Sequence, residues 1–196
     1  MDNNIPSFPG MPDISNITNK SNEALRVELH TGLTGDTLIF INKELSSVAQ
    51  LHLGYSGKET VTYGINTSTD YTVDDCRILE VPKEIYSVDI VDITFSDETL
   101  HEFSLHCTKG SKIATNNNGF VDVNHLEVGS EVFSIYYNDD YKKYYYGGAP
   151  KVTKIDKTSK ILQTPVYLFM SEYQNILIPF KIEGKDKDFL FLNMRQ

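Results

Sequence analysis

The sequence predicts an all-β fold of many short strands, arranged about a pseudo-two-fold axis and preceded by an extended N-terminal tail. Three observations carry that prediction. A Gly-to-Gly unit of twenty residues occurs twice, 75 positions apart, as GDTLIFINKELSSVAQLHLG from Gly35 to Gly54 and GSKIATNNNGFVDVNHLEVG from Gly110 to Gly129. Val, Ile, Thr, Tyr and Phe gather in short runs separated by Gly, Asn and Asp, and no stretch sustains the period of a long helix. Within the repeat, apolar residues match at Leu38/Ile113, Val48/Val123, Leu51/Leu126 and Leu53/Val128, so one packing unit is used twice.

Taken in order, residues 1 to about 26 form a zone of their own. Pro6, Pro9 and Pro12 are followed by the polar run ISNITNKSN, which cannot bury enough apolar area to fold by itself. Strands are expected at 36–41, 59–65, 76–82, 87–96, 99–106, 111–115, 119–122, 131–138, 143–147, 150–157, 164–171, 175–182 and 188–193. Helix is confined to single turns at 45–51 and 122–127, inside the two repeats, with one more at 21–27. This divides the chain into a tail (1–29), a β domain (30–183) and a C-terminal strand or extension (184–196).

A net charge of −9 over 196 residues argues against a phosphate-backbone partner, because such affinity comes from clustered Lys and Arg. The Lys142-Lys143 pair and the Lys185/Lys187 alternation lie beside Asp residues and read as solvated surface. Two cysteines, Cys76 and Cys107, are too few for a disulfide framework and fit a reducing compartment. The start MDNNIPSFPG lacks the basic flank and apolar core of a secretion signal, and no run approaches a membrane span, so synthesis and residence in the cytoplasm are expected.

In its middle section the chain resembles the Hint domain shared by inteins and hedgehog-type autoprocessing domains. Gly32-Leu33-Thr34-Gly35-Asp36-Thr37 is similar to the opening Cys-Leu-x-Gly-Asp/Thr of that family, and Leu51-His52-Leu53-Gly54 to the turn that follows it. The segment from Glu84 to Phe133 is similar to the strand pair, Thr-x-x-His and Leu-x-x-Gly-Asp turn, and TPVYLFMSEYQNILI to the closing Val-Tyr strand with its Asn-containing turn. The resemblance spans about residues 30 to 183 and implies the Hint-like pseudo-two-fold β fold.

That resemblance also implies a chemistry, and each of its positions can be checked. A Hint reaction opens with a Cys or Ser attacking the preceding carbonyl; the matching residue is Gly32, which has no nucleophilic atom. The Thr-x-x-His aligns on Thr108-Lys109-Gly110-Ser111, which keeps the threonine but puts Ser111 where the imidazole belongs, and a hydroxyl does not titrate near neutral pH. No histidine follows His125, and Asn193 is not preceded by one, so the terminal His-Asn is missing. The expectation is a degenerate site at Gly32, Thr108 and Ser111 and no catalytic residue. A residual self-cleaving activity near Thr31-Gly32, using an unusual nucleophile such as Thr31 or Thr34, is the alternative.

Other chemistry reads weakly. His101 and Cys107 would lie about 20 Å apart on one strand at ~3.3 Å per residue, with His101 and His106 on opposite faces, so no metal is expected. His106 reads as an ordinary strand residue and Cys107 as a small buried one. Gly54 to Lys58 lacks the spacing of a phosphate-binding loop, and no cofactor is expected. The pairs Asp74-Asp75, Asp139-Asp140 and Asp186/Asp188 read as polar turns. What remains is contact surface. The tail residues Ile5, Phe8, Ile14 and Ile17, and Tyr137, Tyr141, Tyr144, Tyr145 and Tyr146 of the arm YYNDDYKKYYYGGAP, are expected to meet a protein partner in a larger assembly, or a second copy of the chain. Asn/Lys/Ile usage and small size fit a phage virion component, and the acidic charge also fits an immunity-type binder of a basic protein.

Overall fold

The computed structural model describes residues 32–55, 59–66, 72–116, 119–138, 140–141, 143–183 and 186–194. Ile5, Phe8, Ile14, Ile17, Thr31, Asp139, Lys142, Lys185 and the helical turn expected at 21–27 lie outside the described residues. In chain order the elements are β1 (Leu33–Thr34), β2 (Leu38–Ile41), β3 (Glu44–Ser47), α1 (Val48–Gly54), β4 (Val61–Asn66), β5 (Thr72–Arg77), β6 (Lys83–Ser87), β7 (Ile90–Ser96), β8 (Glu102–Thr108), β9 (Lys112–Thr115), β10 (Gly119–Asp122), a 3-10 turn (Val123–His125), β11 (Ser134–Asn138), β12 (Lys143–Tyr146), β13 (Lys151–Asp156), β14 (Thr164–Leu168), β15 (Asn175–Glu183) and β16 (Asp186–Asn193).

One sheet has the order β13-β7-β8-β1-β14-β6 and a second the order β10-β9-β16-β11-β12, with β15 also paired to β16; β2-β3 and β4-β5 are separate hairpins. The all-β expectation holds. Strand β7 shows why: Val91, Ile93 and Phe95 are fully buried while Asp92, Thr94 and Ser96 alternate outward, the period-two pattern of a half-buried strand. Its partner β8 sets Cys107, Leu105 and Phe103 opposite those three. One core gathers Leu33, Ile39, Val48, Phe95, Val123 and Phe169, and a second gathers Phe40, Ile65, Ala114, Ile135, Phe189 and Phe191.

The repeat is present in three dimensions, with a register the sequence does not give. Strands β2 and β9 are offset by 74 positions (38 to 112), while β3 and β10 are offset by 75 (44 to 119). The counterpart of Ile113 is therefore Ile39, also fully buried, and not Leu38, which is exposed. The extra residue sits in the hairpin loop: β2 and β3 are joined by Asn42 and Lys43 alone, both at positive φ (51° and 72°), the twist a two-residue hairpin needs.

Several boundaries differ from expectation for local reasons. Helix α1 starts at Val48 rather than at 45, because Ser47 and Gln50 form a reciprocal cap and residues 44–47 pair with β2. Of the strand expected at 76–82 only Cys76 and Arg77 belong to one, the end of β5; Ile78 makes an isolated bridge to Ser171, 79–82 lie outside any strand, and β6 begins at Lys83, after Pro82, which has no N–H to give a ladder. Asp74 and Asp75 lie in β5, and Asp186 and Asp188 in β16, so neither pair is a turn. The C-terminal extension is an interior strand: β16 is flanked by β9, β11 and β15, with Phe189, Leu190, Phe191 and Leu192 buried.

Candidate functional site

Strand β1 is two residues long, yet it lies inside the first sheet, with Leu33 paired to Cys107 on one side and to Tyr167 on the other. Gly32, just before it, is bound on both of its backbone groups. Its N–H donates to Thr108 Oγ1 at 3.0 Å, while its carbonyl accepts from the Thr108 N–H at 3.0 Å and from Ser111 Oγ at 3.3 Å. The two hydroxyls are 3.2 Å apart and both side chains are fully buried. Gly32, Thr108 and Ser111 are thus brought together at one point.

The first copy of the repeat makes the matching contact. Thr34 stands to Thr37 as Thr108 stands to Ser111: each later residue donates its N–H to the earlier carbonyl, at 3.1 and 3.0 Å, and the paired hydroxyls are 3.4 and 3.2 Å apart. Thr34 Oγ1 reaches across to the His106 carbonyl at 3.2 Å, as Thr108 reaches across to Gly32. The Leu33/Cys107 pair lies between these two contacts, so His106 is the symmetry mate of Gly32.

His106 is more than a plain strand residue. Its Nδ1 lies 2.8 Å from Asp92 Oδ1 on β7, directly opposite in register, and Lys160 Nζ binds the other oxygen of the same carboxylate. This trio borders a cleft of about 460 Å³ that Thr34, Asp36 and Tyr167 also line. Burial acts to raise the Asp92 carboxyl, and the bonds and charges of Lys160 and His106 outweigh it, holding the group below the ordinary aspartate range. Lys160 is raised in turn, chiefly by its bond to Asp92. Sequence reading missed the trio because its members, 14 and 68 positions apart, meet only through strand register and a returning loop.

The chemistry open to the axial site is narrow. A Cβ built on Gly32 would come within 3.0 Å of Leu168 Cδ2 and Thr108 Cγ2, so even the first atom of a nucleophilic side chain is crowded. Cys107 is fully buried, and burial pushes its thiol up to about 12, with the Ser111 hydrogen bond opposing, so it is held as an inert thiol. Thr34 Oγ1 is engaged by Asp36 and the His106 carbonyl. At the other end, Asn193 pairs with Lys112, and Met194 is buried with its N–H on the Gln174 carbonyl at 2.7 Å. Among the described residues no group of three His, Cys, Asp or Glu is placed to hold a metal, and no helix is long and apolar enough to cross a membrane.

The tyrosine arm is the β11-β12 hairpin, with Tyr136 opposite Tyr145 and Tyr137 opposite Tyr144. Tyr137 and Tyr144 turn inward, rings 4.7 Å apart, against the second core; Lys187 Nζ sits 5.2 Å from the Tyr137 ring centroid. Both are half-buried against that core. Tyr141, Tyr145 and Tyr146 remain exposed.

This architecture has known counterparts. An intein from a hyperthermophile superimposes with a TM-score of 0.59 at 15% identity, over 83% of this chain and 99% of that one. The Ssp DnaB mini-intein variant M86 gives 0.55 at 12%, over 85% and 97%. A bacterial intein-like domain from Clostridium thermocellum gives 0.53 at 14%, over 81% and 96%. The fold is the Hint fold of inteins. No family model and no curated protein matches the chain, and at these identities the likeness is one of fold. Within the Hint fold, the axial site is built here with Gly32, Thr108 and Ser111.

Proposed function

We propose that this Hint-like domain is non-catalytic and acts as a structural docking module in a larger assembly, such as a virion, with the tail and the tyrosine arm as its contact elements. The observation that carries the reading is Gly32. It stands at the head of β1 with both backbone groups hydrogen-bonded and no side chain, so the acyl shift has no nucleophile to begin with. Ser111 holds the carbonyl by a hydroxyl bond and offers no group that titrates near neutral pH.

Intact mass tests the first half of this reading. The purified chain is expected to stay a single 22.2 kDa species through long incubation with and without thiol; a product pair split near residue 32 would establish self-cleavage instead. Deleting residues 1–26 tests the second half. The remaining domain is expected to fold and to lose its place in the assembly, and normal incorporation of the truncated chain would remove the tail from the docking role.

A further inference from the structure

A cleft of about 420 Å³ lies between the second sheet and the β4-β5 hairpin, and its walls are aromatic. Phe120 of β10, Phe133, Phe191 of β16, and Tyr144 and Tyr146 of β12 line it, together with Ala114 of β9. Phe120 stands edge-on to Phe191 at 4.9 Å and remains 38% exposed; Tyr146 lies 5.6 Å from Phe133 and is 59% exposed. Large rings are thus ordered on one another with faces left open. The Tyr146 hydroxyl accepts from Asn116 Nδ2 at 2.9 Å, which leaves its own proton to donate to a backbone carbonyl laid along the cleft.

The N-terminal tail carries a pattern that fits such a groove. Ile5, Phe8, Met11, Ile14 and Ile17 recur every third residue, and the first three are each followed by proline. A residue before proline is driven to extended backbone, and a polyproline II helix has three residues per turn. In that conformation the five side chains form one stripe of roughly 37 Å at ~3.1 Å per residue. Neither an α-helix nor a β-strand collects positions spaced by three on one face. Pro6, Pro9 and Pro12 keep the P-x-x-P spacing of proline-rich segments that dock in aromatic-lined grooves.

The position of the tail's root selects whose tail it is. Gly32 is bonded to Ser111, and Ala114 in the cleft lies three residues farther along β9, roughly 10 Å away. The chain between Ile17 and Gly32 spans that distance many times over, and a short tether gives an effective concentration in the ~mM range. We propose that residues 5–17 lie in the aromatic cleft of their own chain as a polyproline II helix, with Phe8 as the anchor. This goes beyond the non-catalytic reading and does not depend on it.

The chain contains no tryptophan, so a single Phe8→Trp substitution in the full-length protein gives a clean probe. At low protein concentration its emission is expected at shorter wavelength than in urea, with acrylamide quenching slowed several-fold, and a further Phe120→Ser change is expected to abolish both effects. Ser7→Trp, out of phase with the stripe, should quench like free indole. The proposal is overturned if positions 7 and 8 quench alike, or if protection at position 8 survives both Phe120→Ser and Tyr146→Ser in proteins whose circular dichroism is native. Protection that grows with concentration alongside a sedimenting dimer also overturns it and assigns the cleft to a second copy. Intact mass on the same samples separates the two readings: cleavage with a protected Trp sinks only the non-catalytic one, and an intact chain with an exposed Trp sinks only this one.

Discussion

Gly32 is held by two different demands, a close approach and a pair of hydrogen bonds. Leu168 and Thr108 leave a Cβ only 3.0 Å from its neighbours, and the backbone groups are already satisfied by Thr108 and Ser111. Gly32→Cys puts a thiol at the head of β1 and so makes a sharp test. Overpacking is expected to cost about 1–3 kcal/mol, read as a lower urea midpoint with an unchanged slope. The mass should stay that of the intact chain, because no imidazole stands at Ser111. Shortened products from this single variant would show that a thiol at this position is enough for self-cleavage. The three residues of this site are legible in the sequence because Thr108 and Ser111 are separated by one short turn whose spacing survives. Asp92, His106 and Lys160 were not, since a carboxylate, an imidazole and an ammonium scattered over 68 positions become a cluster only after β7 and β8 pair.

Strand β7 shows what its element does with that cluster. Asp92 is the outward position between Val91 and Ile93, so its charge lies on the sheet face that Lys160 crosses. Its carboxyl is depressed in the folded state. Stability from it is therefore present above the ordinary aspartate pKa of ~3.9 and is lost as pH falls through the lower folded value. Asp92→Asn should lower the urea midpoint at neutral pH, and the gap to the parent should close as both are titrated to acid; a gap that is constant with pH would mean the loss is packing alone. Among the elements, strands with clean alternation were readable and β3 was not. Glu44-Leu45-Ser46-Ser47 has no strong strand former and runs into helical α1. What makes it a strand is the left-handed pair Asn42-Lys43, which folds it back on β2.

For the whole molecule, the duplicated glycine spacing revealed the architecture, and the hairpin with its one extra residue explains why matching by 75 misaligned the first strands. The C-terminal run, expected as a strand or extension, is a strand at the centre of the second sheet, a placement that a short apolar run after a polar loop does not announce. Phe189, Leu190, Phe191, Leu192 and Met194 are all buried. At about 1.5–3 kcal/mol each, their burial rivals the ~5–15 kcal/mol that holds a domain folded. Truncation after Glu183 is thus expected to abolish cooperative unfolding by circular dichroism, whereas a soluble, cooperatively melting product would return β16 to the status of an appendage.

The two ends of the described domain meet on adjacent residues. Gly32 is bonded to Ser111, and Asn193 is paired with Lys112. The first and last described residues therefore lie side by side, and the domain between them closes like a clasp, adding bulk without adding reach.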